Sequence, residues 1–149
     1  MRWMRRRSLP EWSASLGRVR ISHQMIDELV AHAREESPNE CCGMIGGADG
    51  FAATVYRSVN AEASPLRYSL DAGDQFRIMR EIEEGGEELL GIYHSHTGSG
   101  AYPSQTDVNL ASYPDAIYLI VSVADPEAPE VRGFWIRGGE IEEAELDVV

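Results

Sequence analysis

Residues 94–107 read HSHTGSGAYPSQTD, and this stretch decides both the architecture and the chemistry that the chain can support. Side chains two positions apart on a β-strand share one face, so His94 and His96 can reach a common point while Ser95 faces away. The loop that follows folds back and presents Asp107 from the first turn of a helix. Two imidazoles and one carboxylate leave a fourth tetrahedral position free, which is the composition of a catalytic zinc site.

Each half of this pattern also has a purely structural interpretation. An isolated H-x-H on a strand usually has a structural role and binds no metal. The S-x-x-D pattern before a helix is a common capping box, with Ser104 as the cap and Asp107 at the third position. A serine hydroxyl can accept a backbone N–H bond and donate its own proton elsewhere, so capping and catalysis are compatible. All four residues together, at this spacing, favour the metal site.

Apolar alternation on either side of this stretch predicts a sheet. Leu89 to His96 forms the strand that carries the two histidines, and the almost wholly apolar Ala116 to Ala124 predicts a central strand buried on both faces. The last two predicted strands form a closing hairpin around Gly138-Gly139. Turn residues bound five further predicted strands. These strands are Arg18–Ile21, Cys41–Gly47, Phe51–Val59, Val131–Arg137 and Ile141–Leu146.

Residues typical of helix starts and helix ends predict three helices in the same sequence. Ser22 is the predicted N-cap of a helix that Pro38 closes. Asp71 is the predicted N-cap of a second helix, which ends at Gly85-Gly86, and Ser104 opens a third, short helix. Because strands and helices are interleaved, we predict a single α/β domain.

Composition narrows the class of protein. The chain has 149 residues and 43% hydrophobic content, which suits one globular domain. The formal net charge is −12, and residues 18–149 hold 9 arginines against 24 acidic residues. A domain with this excess of negative charge repels the phosphate backbone of nucleic acids, so nucleic acid is not an expected partner. No apolar run approaches the roughly 20 residues of a membrane helix, so we expect no membrane association and a cytoplasmic location.

Several residues outside the histidine–aspartate pattern are assigned no chemistry. The first 17 residues, MRWMRRRSLPEWSASLG, lack the apolar core of a signal peptide, so we predict a poorly ordered tail before a domain over residues 18–149. Adjacent strand residues point to opposite faces, so Cys41 and Cys42 are expected to be two buried thiols and not a disulfide. His23 and His32, on the first helix, are assigned to the surface.

The combination of residues also resembles a known family. The JAMM, or MPN-plus, metalloproteases share a glutamate followed at a distance by H-x-H-x(7)-S-x-x-D, and Glu40 with residues 94–107 fits this pattern at every position. The resemblance extends over about Val19 to Asp147. The segments AHAREESPNECCG, GIYHSHT, AYPSQTDV and YPDAIYLIVSVADP are similar to the stand-alone bacterial branch. That branch includes a peptidase that removes cysteine from the C-terminus of a ubiquitin-like sulfur carrier.

This resemblance implies a fold, a mechanism and a substrate class. The family fold is a curved, mostly antiparallel sheet flanked by helices, of the cytidine-deaminase-like kind. The family's roles make Glu40 the general base and Ser104 the hydrogen-bond donor to the oxyanion. They make His94, His96 and Asp107 the ligands of one zinc ion per chain. The expected substrate is the amide bond after the C-terminal Gly-Gly of a small ubiquitin-like carrier, with release of cysteine or a short extension.

Two other functions are compatible with the same residues. A zinc peptidase acting on small or cell-wall peptides would use the same site. A non-catalytic scaffold would keep the fold, although such relatives have lost ligands that are all present here. Nucleotide deaminases need H-x-E and P-C-x-x-C, and neither motif occurs in the sequence. By analogy with the family, the loop from Arg57 to Arg67 is expected to provide the edge along which an extended substrate pairs.

Overall fold

A computed structural model describes residues 17–149 of the chain. The predicted N-terminal tail lies outside the described residues except for Gly17. Residues 17–149 form eight strands and three helices. In chain order they are β1 (Val19–Ile21), α1 (His23–Glu36), β2 (Cys42–Ala48), β3 (Phe51–Ser58), α2 (Ala72–Glu84), β4 (Glu88–His96), α3 (Gln105–Leu110), β5 (Ile117–Ser122), β6 (Glu130–Arg137), β7 (Glu140–Glu143) and β8 (Leu146–Val148).

All eight strands join one sheet, in the order β7-β6-β5-β4-β2-β3-β1-β8. Four of the seven pairings between neighbouring strands are antiparallel and three are parallel. Helices α1 and α2 pack on the sheet. The predicted class, a single α/β domain with a curved, mostly antiparallel sheet flanked by helices, is confirmed.

The sheet curls because its two edge strands are consecutive in the chain. β7 and β8 lie at opposite ends of the strand order, yet only residues 144–145 separate them. Ala144 N donates to the Gly133 carbonyl of β6 at 2.8 Å, and the Glu145 carbonyl accepts from Val19 N of β1 at 3.2 Å. Two residues therefore bridge the two edges, which requires the sheet to curve back on itself.

The predicted closing hairpin is confirmed in its first part and wrong in its last. β6 and β7 pair antiparallel across Gly138-Gly139, whose φ angles of 58° and 84° are easily adopted by glycine. The expected partner strand, Ile141–Leu146, breaks after Glu143. Leu146 instead begins β8, which runs parallel to β1, because its side chain packs in the same core cluster as Val19.

Alternation along the strands divides the core between two faces of the sheet. Tyr93 belongs to the cluster that packs beneath α1, whereas its neighbour Ile92 faces the opposite way. On that opposite face, Met44 of β2 packs with Ile78 and Ile82 of α2. Full burial of side chains of this size stabilises a fold by roughly 1.5–3 kcal/mol each. From Ile92 to His96, the even-numbered positions of β4 therefore point away from α1, toward the side covered by α2 and α3.

The helices begin where the sequence predicts. Ser22 Oγ accepts from Met25 N, and the Asp71 carboxylate accepts from Asp74 N, each at 3.0 Å. These bonds satisfy backbone donors that have no partner inside the helix. None of the helices within residues 17–149 is long and apolar enough to span a bilayer.

The predicted surface position of His32 is wrong, whereas His23 is exposed as predicted. His32 is only 4% exposed, and its Nδ1 lies 2.8 Å from the Tyr93 hydroxyl. Its place three residues after the buried Leu29 puts it on the apolar stripe of α1. Burial lowers the pKa of His32 to about 4, and the positive charge of Arg57 adds to the effect. The imidazole is therefore a neutral member of the core.

We expect this buried histidine to make the fold less stable in acid. The unfolded chain takes up a proton near pH 6.5, but the folded chain does so only near pH 4, so stability is full above the first value and falls as pH drops toward the second. Between about pH 7.5 and 5, the free energy of unfolding in urea should fall by about 1–2 kcal/mol more in wild-type protein than in His32→Gln.

The exposed His23 on the same helix provides the matched control for this measurement. His23→Gln should retain the wild-type loss of stability between neutral and acidic pH, because that residue is not buried. Identical pH dependence in wild-type protein and His32→Gln would contradict the assignment of a neutral, buried His32.

Candidate metal centre

The two histidines end a strand whose backbone is fixed along both edges. β4 pairs with β2 on one side and with β5 on the other, up to His96. His94 and His96 are buried, with 1% and 5% exposure, on the face opposite α1. Ser95 points to the α1 face, where its Oγ accepts from Cys41 N at 2.8 Å. The alternation predicted for this tripeptide is therefore observed, with Ser95 supporting the fold.

Helix α3 presents Asp107 through a capping box. Ser104 Oγ accepts from Asp107 N, and Asp107 Oδ2 accepts from Ser104 N, both at 3.0 Å. The capping interpretation of this motif is therefore confirmed. Since backbone N–H groups hold both side chains, the carboxylate is oriented by the protein alone.

Three potential ligand atoms converge on one point. His94 Nε2 and His96 Nε2 lie 3.1 and 3.0 Å from Asp107 Oδ2, and they lie 3.3 Å from each other. Tetrahedral zinc with bonds of about 2.0–2.1 Å places neighbouring ligand atoms about 3.4 Å apart. Two imidazole nitrogens and a carboxylate oxygen at these spacings fit zinc. The three side chains could therefore hold a metal ion with one coordination position left for water or substrate.

Electrostatics within the group favour the metal-binding protonation state for two of its three residues, Asp107 and His94. Burial alone would raise the pKa of Asp107, but its bonds with His94 and His96 outweigh this and hold the pKa well below its usual range. Burial lowers the pKa of His94. For His96, burial is outweighed by the bonds to Asp107 and to the Gly100 carbonyl, which raise the pKa. At neutral pH the site therefore contains a charged carboxylate and a neutral His94, both suited to metal binding.

Neighbouring groups fix the orientation of both imidazoles. His96 Nδ1 donates to the Gly100 carbonyl at 2.8 Å, which leaves the lone pair of Nε2 facing the common point. The glycine-containing loop that supplies this carbonyl is itself anchored, because Ser122 Oγ donates to Ser99 O at 2.6 Å. The ring of His94 stacks on Tyr68, with centroids 4.3 Å apart and an interplanar angle of 16°.

Glu40 lies directly before β2, on the face of the sheet to which His94 points. Cys42 pairs with His94 across β2 and β4, and positions 40 and 42 share a face. Glu40 is 4% exposed, and its Oε1 has no hydrogen-bond partner within residues 17–149. Burial raises the pKa of Glu40 to about 7. The charge of His96 opposes this rise, and the charge of Asp107 adds to it. A carboxyl in this range can take up and release a proton at neutral pH.

A surface cleft of about 340 Å³ joins Glu40 to the metal centre. Glu40, His96 and Ser104 all line it. Pro65 and Leu66, from the loop before α2, form another part of the wall. The structure thus brings the predicted base, a predicted ligand and the predicted oxyanion donor into one cavity, beside part of the predicted substrate loop.

Sequence reasoning did not identify two residues that support this centre, Tyr68 and Asn60. Asn60 Nδ2 donates to the Glu40 carbonyl at 3.0 Å, so the asparagine contacts the backbone of the predicted base. The only sequence signal for Asn60 is an asparagine just after a predicted strand, which is typical of turns. Tyr68 carries no local signal for its stacking partner, because His94 is brought to it by the fold.

Cys41 and Cys42 contribute no ligand atom to the three-residue group. Both are buried free thiols, as predicted. Burial raises the pKa of Cys41 to about 11 and that of Cys42 to about 12. Both thiols therefore stay protonated and unreactive at neutral pH.

Similar proteins were found at the level of sequence. The family model described as prokaryotic homologs of the JAB domain matches residues 22–137. CysO-cysteine peptidase from Mycobacterium tuberculosis (strain ATCC 25618 / H37Rv) is 42% identical over 131 residues, which are 87% of this chain and 90% of that protein. Desampylase from Haloferax volcanii is 37% identical over 112 residues, which are 70% of this chain and 81% of that protein.

Solved structures share the fold. A protein from Desulfitobacterium hafniense is 34% identical with a TM-score of 0.81, over 88% of this chain and 92% of that one. A JAB1/MPN domain protein from Archaeoglobus fulgidus, 18% identical, has a TM-score of 0.54 over 88% of this chain and 96% of that one, and shows the common fold alone. The resemblance to the JAMM metalloproteases is confirmed, and the chain belongs to the prokaryotic JAB-domain family.

Proposed function

We propose that this protein is a zinc-dependent peptidase that hydrolyses an amide bond at the C-terminus of a small ubiquitin-like carrier protein. The observation that carries the proposal is the convergence of His94 Nε2, His96 Nε2 and Asp107 Oδ2, no two of them more than 3.3 Å apart. The cleft beside them is also lined by Glu40. Relatives named as a peptidase and a desampylase support a hydrolase.

Each group in the cleft has a distinct part in the reaction. Zinc held by His94, His96 and Asp107 would supply a Lewis acid and a water nucleophile with a pKa near 7. Glu40 has a buried carboxylate whose Oε1 accepts no hydrogen bond within residues 17–149. It takes a proton from the attacking water and passes it to the leaving amine.

Ser104 stabilises the negative charge that develops on the scissile carbonyl oxygen. Its Oγ accepts from Asp107 N, so the hydroxyl proton remains available for donation. The capping box fixes this hydroxyl before substrate binds. A donor held in place in this way stabilises the oxyanion without reorganisation during the reaction.

The substrate class comes from the relatives and from the shape of the cleft. The mycobacterial relative is named a peptidase of CysO-cysteine. We infer a carrier tail that ends in Gly-Gly, because glycine lets a backbone approach the cleft wall without a Cβ clash. The proposed pairing edge is the segment from Arg57 to Arg67, which begins with the last two residues of β3 and is a loop only after Ser58. Its Leu66 is 81% exposed at the cleft. Cysteine or a short extension is the proposed leaving group.

We expect purified protein to hold about one zinc ion per chain by elemental analysis. His94→Ala should lose it because the variant lacks a ligand atom, and Asp107→Asn should lose it because an amide oxygen offers the metal no negative charge. The asparagine can still accept from Ser104 N and so preserves the cap. Zinc at about a hundred times its Kd should stabilise metal-free wild-type protein by about 2.7 kcal/mol, seen as a higher Tm, and should not stabilise the variants.

The matched control for the metal experiment is His23→Ala, which removes an exposed histidine at the start of α1. This variant should bind zinc as the wild type does. Wild-type protein that contains no zinc and takes up none on titration would contradict the proposed centre.

We expect Glu40→Gln to keep its zinc and to lose turnover by about 10²–10⁴-fold, because the amide cannot accept the proton of the attacking water. Glu36→Gln, which replaces an exposed carboxylate at the end of α1, should retain turnover. Zinc content and the rate of carrier cleavage are measured for both. Loss of zinc from Glu40→Gln would make Glu40 a ligand and not a base.

We expect cleavage of a carrier–Gly-Gly–Cys substrate directly after the second glycine, with mass spectrometry identifying the products. Replacing either glycine of the tail by a bulky residue should block cleavage, since a Cβ and side chain would clash with the cleft wall. An unrelated peptide of similar length is the control. Equal cleavage of both substrates would favour a general peptidase for small peptides over a carrier-processing enzyme.

A further inference from the structure

β3 ends before it reaches the residue opposite Glu40. In the antiparallel ladder, Cys42 of β2 pairs with Ser58, the last residue of β3. The same register would place Asn60 opposite Glu40. At this point a side-chain hydrogen bond takes the place of a backbone bond of the ladder, because Asn60 Nδ2 donates to the Glu40 carbonyl at 3.0 Å. The Glu40 N–H donates to the Ser64 carbonyl at 2.9 Å.

The amide of Asn60 also closes the loop from which it comes, residues 60–69. Its Nδ2 donates a second bond to the Arg67 carbonyl at 3.1 Å. Its Oδ1 accepts from Glu62 N at 2.9 Å and from Ser69 N at 3.0 Å. One half-buried side chain thus uses both donors and its acceptor oxygen to shape the loop and to attach it to Glu40.

The other side of the Glu40 segment is held by β4. Ser95 N donates to the Cys41 carbonyl at 3.1 Å, and Thr97 Oγ1 donates to the Pro38 carbonyl at 2.9 Å. The Glu40 carboxylate itself makes no hydrogen bond within residues 17–149. Its position therefore depends on its backbone, which lies between β4 and the loop that Asn60 closes.

We propose that Asn60 is a positioning residue, whose bond to the Glu40 carbonyl sets the carboxylate for proton transfer. This inference rests on the proposed role of Glu40 as the base. A base that is displaced by a fraction of an ångström transfers protons more slowly. The bonds that Asn60 Oδ1 accepts from Glu62 N and Ser69 N still shape the loop in a variant that keeps this oxygen, so the effect should fall on kcat much more than on KM.

The decisive variant is Asn60→Asp, which keeps the shape and the acceptor oxygen but removes both N–H donations. We expect unchanged zinc content, a KM within about twofold of wild type and a kcat lower by about 10–100-fold. Amide hydrogen exchange should accelerate at Glu40 N–H, because its acceptor, the Ser64 carbonyl, lies in the loop that the side chain no longer attaches to Glu40. Exchange should stay slow at Ser69 N–H, whose acceptor is kept. Exchange is measured on the resting protein, so it tests the attachment of the loop to Glu40 even if the proposed activity fails.

The charge that the substitution adds is matched by Asn39→Asp. Asn39 precedes Glu40, and its side chain makes no hydrogen bond within residues 17–149. This control should reproduce any effect of charge alone and leave exchange at Glu40 N–H unchanged.

Three results would overturn the inference. One is an Asn60→Asp enzyme with the kcat of wild type, and the second is a loss no larger than that of Asn39→Asp. The third is an Asn60→Asp protein that fails to fold, because Asn60 would then determine stability and not the position of Glu40. If wild-type enzyme cleaves no carrier but Glu40 N–H exchange accelerates as expected, the proposed function fails while the structural part of the inference holds.

Discussion

One oxygen atom, Oδ2 of Asp107, is the constraint on which the rest of this structure depends. It accepts from Ser104 N at 3.0 Å and lies within 3.1 Å of the Nε2 atoms of His94 and His96. The start of α3 must therefore sit over the end of β4. The glycine-containing loop connects these two elements, and its bond to Ser122 helps to hold them in this arrangement. The capping box makes the same contact stabilise the helix and orient the carboxylate.

Holding the Asp107 carboxylate against His94 and His96 requires a rigid sheet. A buried carboxylate costs several kcal/mol in desolvation, and the two imidazoles offset that cost only while the geometry holds. β4 is flanked on both sides by paired strands, and residues 144–145 fasten the outer edges of the sheet to each other. The closed curl thereby limits how far the end of β4 can move. Two of the three candidate ligands, His94 and His96, therefore stand on a strand that is paired along both edges, which suits a preorganised site.

The sequence predicted what local spacing determines. Two-residue alternation placed His94 and His96 on one face, and the three-residue step from Ser104 to Asp107 gave the cap. It did not predict contacts made across the fold. His32 was assigned to the surface, although its spacing from Leu29 is that of a core residue. Its partner Tyr93 lies on a distant strand, so the local sequence does not show their contact.

The end of the chain and the loop before α2 show the same limit. The last strand joins β1, because the curl of the sheet brings β8 beside it, and no periodicity within the strand indicates that partner. Tyr68 and Asn60 lie in a loop whose composition indicates only turns. The contact of Asn60 with Glu40 requires β2 and β3 to be adjacent, and the contact of Tyr68 with His94 also requires β4 beside β2.

The two supports of the Glu40 segment differ in kind, and this difference bears on how substrate and base are coupled. On one side is β4, part of the continuous sheet. On the other is a loop of residues 60–69, which backbone bonds across its base and the Asn60 side chain close, and the same loop contributes Pro65 and Leu66 to the cleft wall. If the proposed function holds, a carrier tail on this wall would contact the loop whose hydrogen bonds hold Glu40. The three converging side chains and Glu40 therefore have different supports, and Glu40 is held by a loop that also lines the cleft.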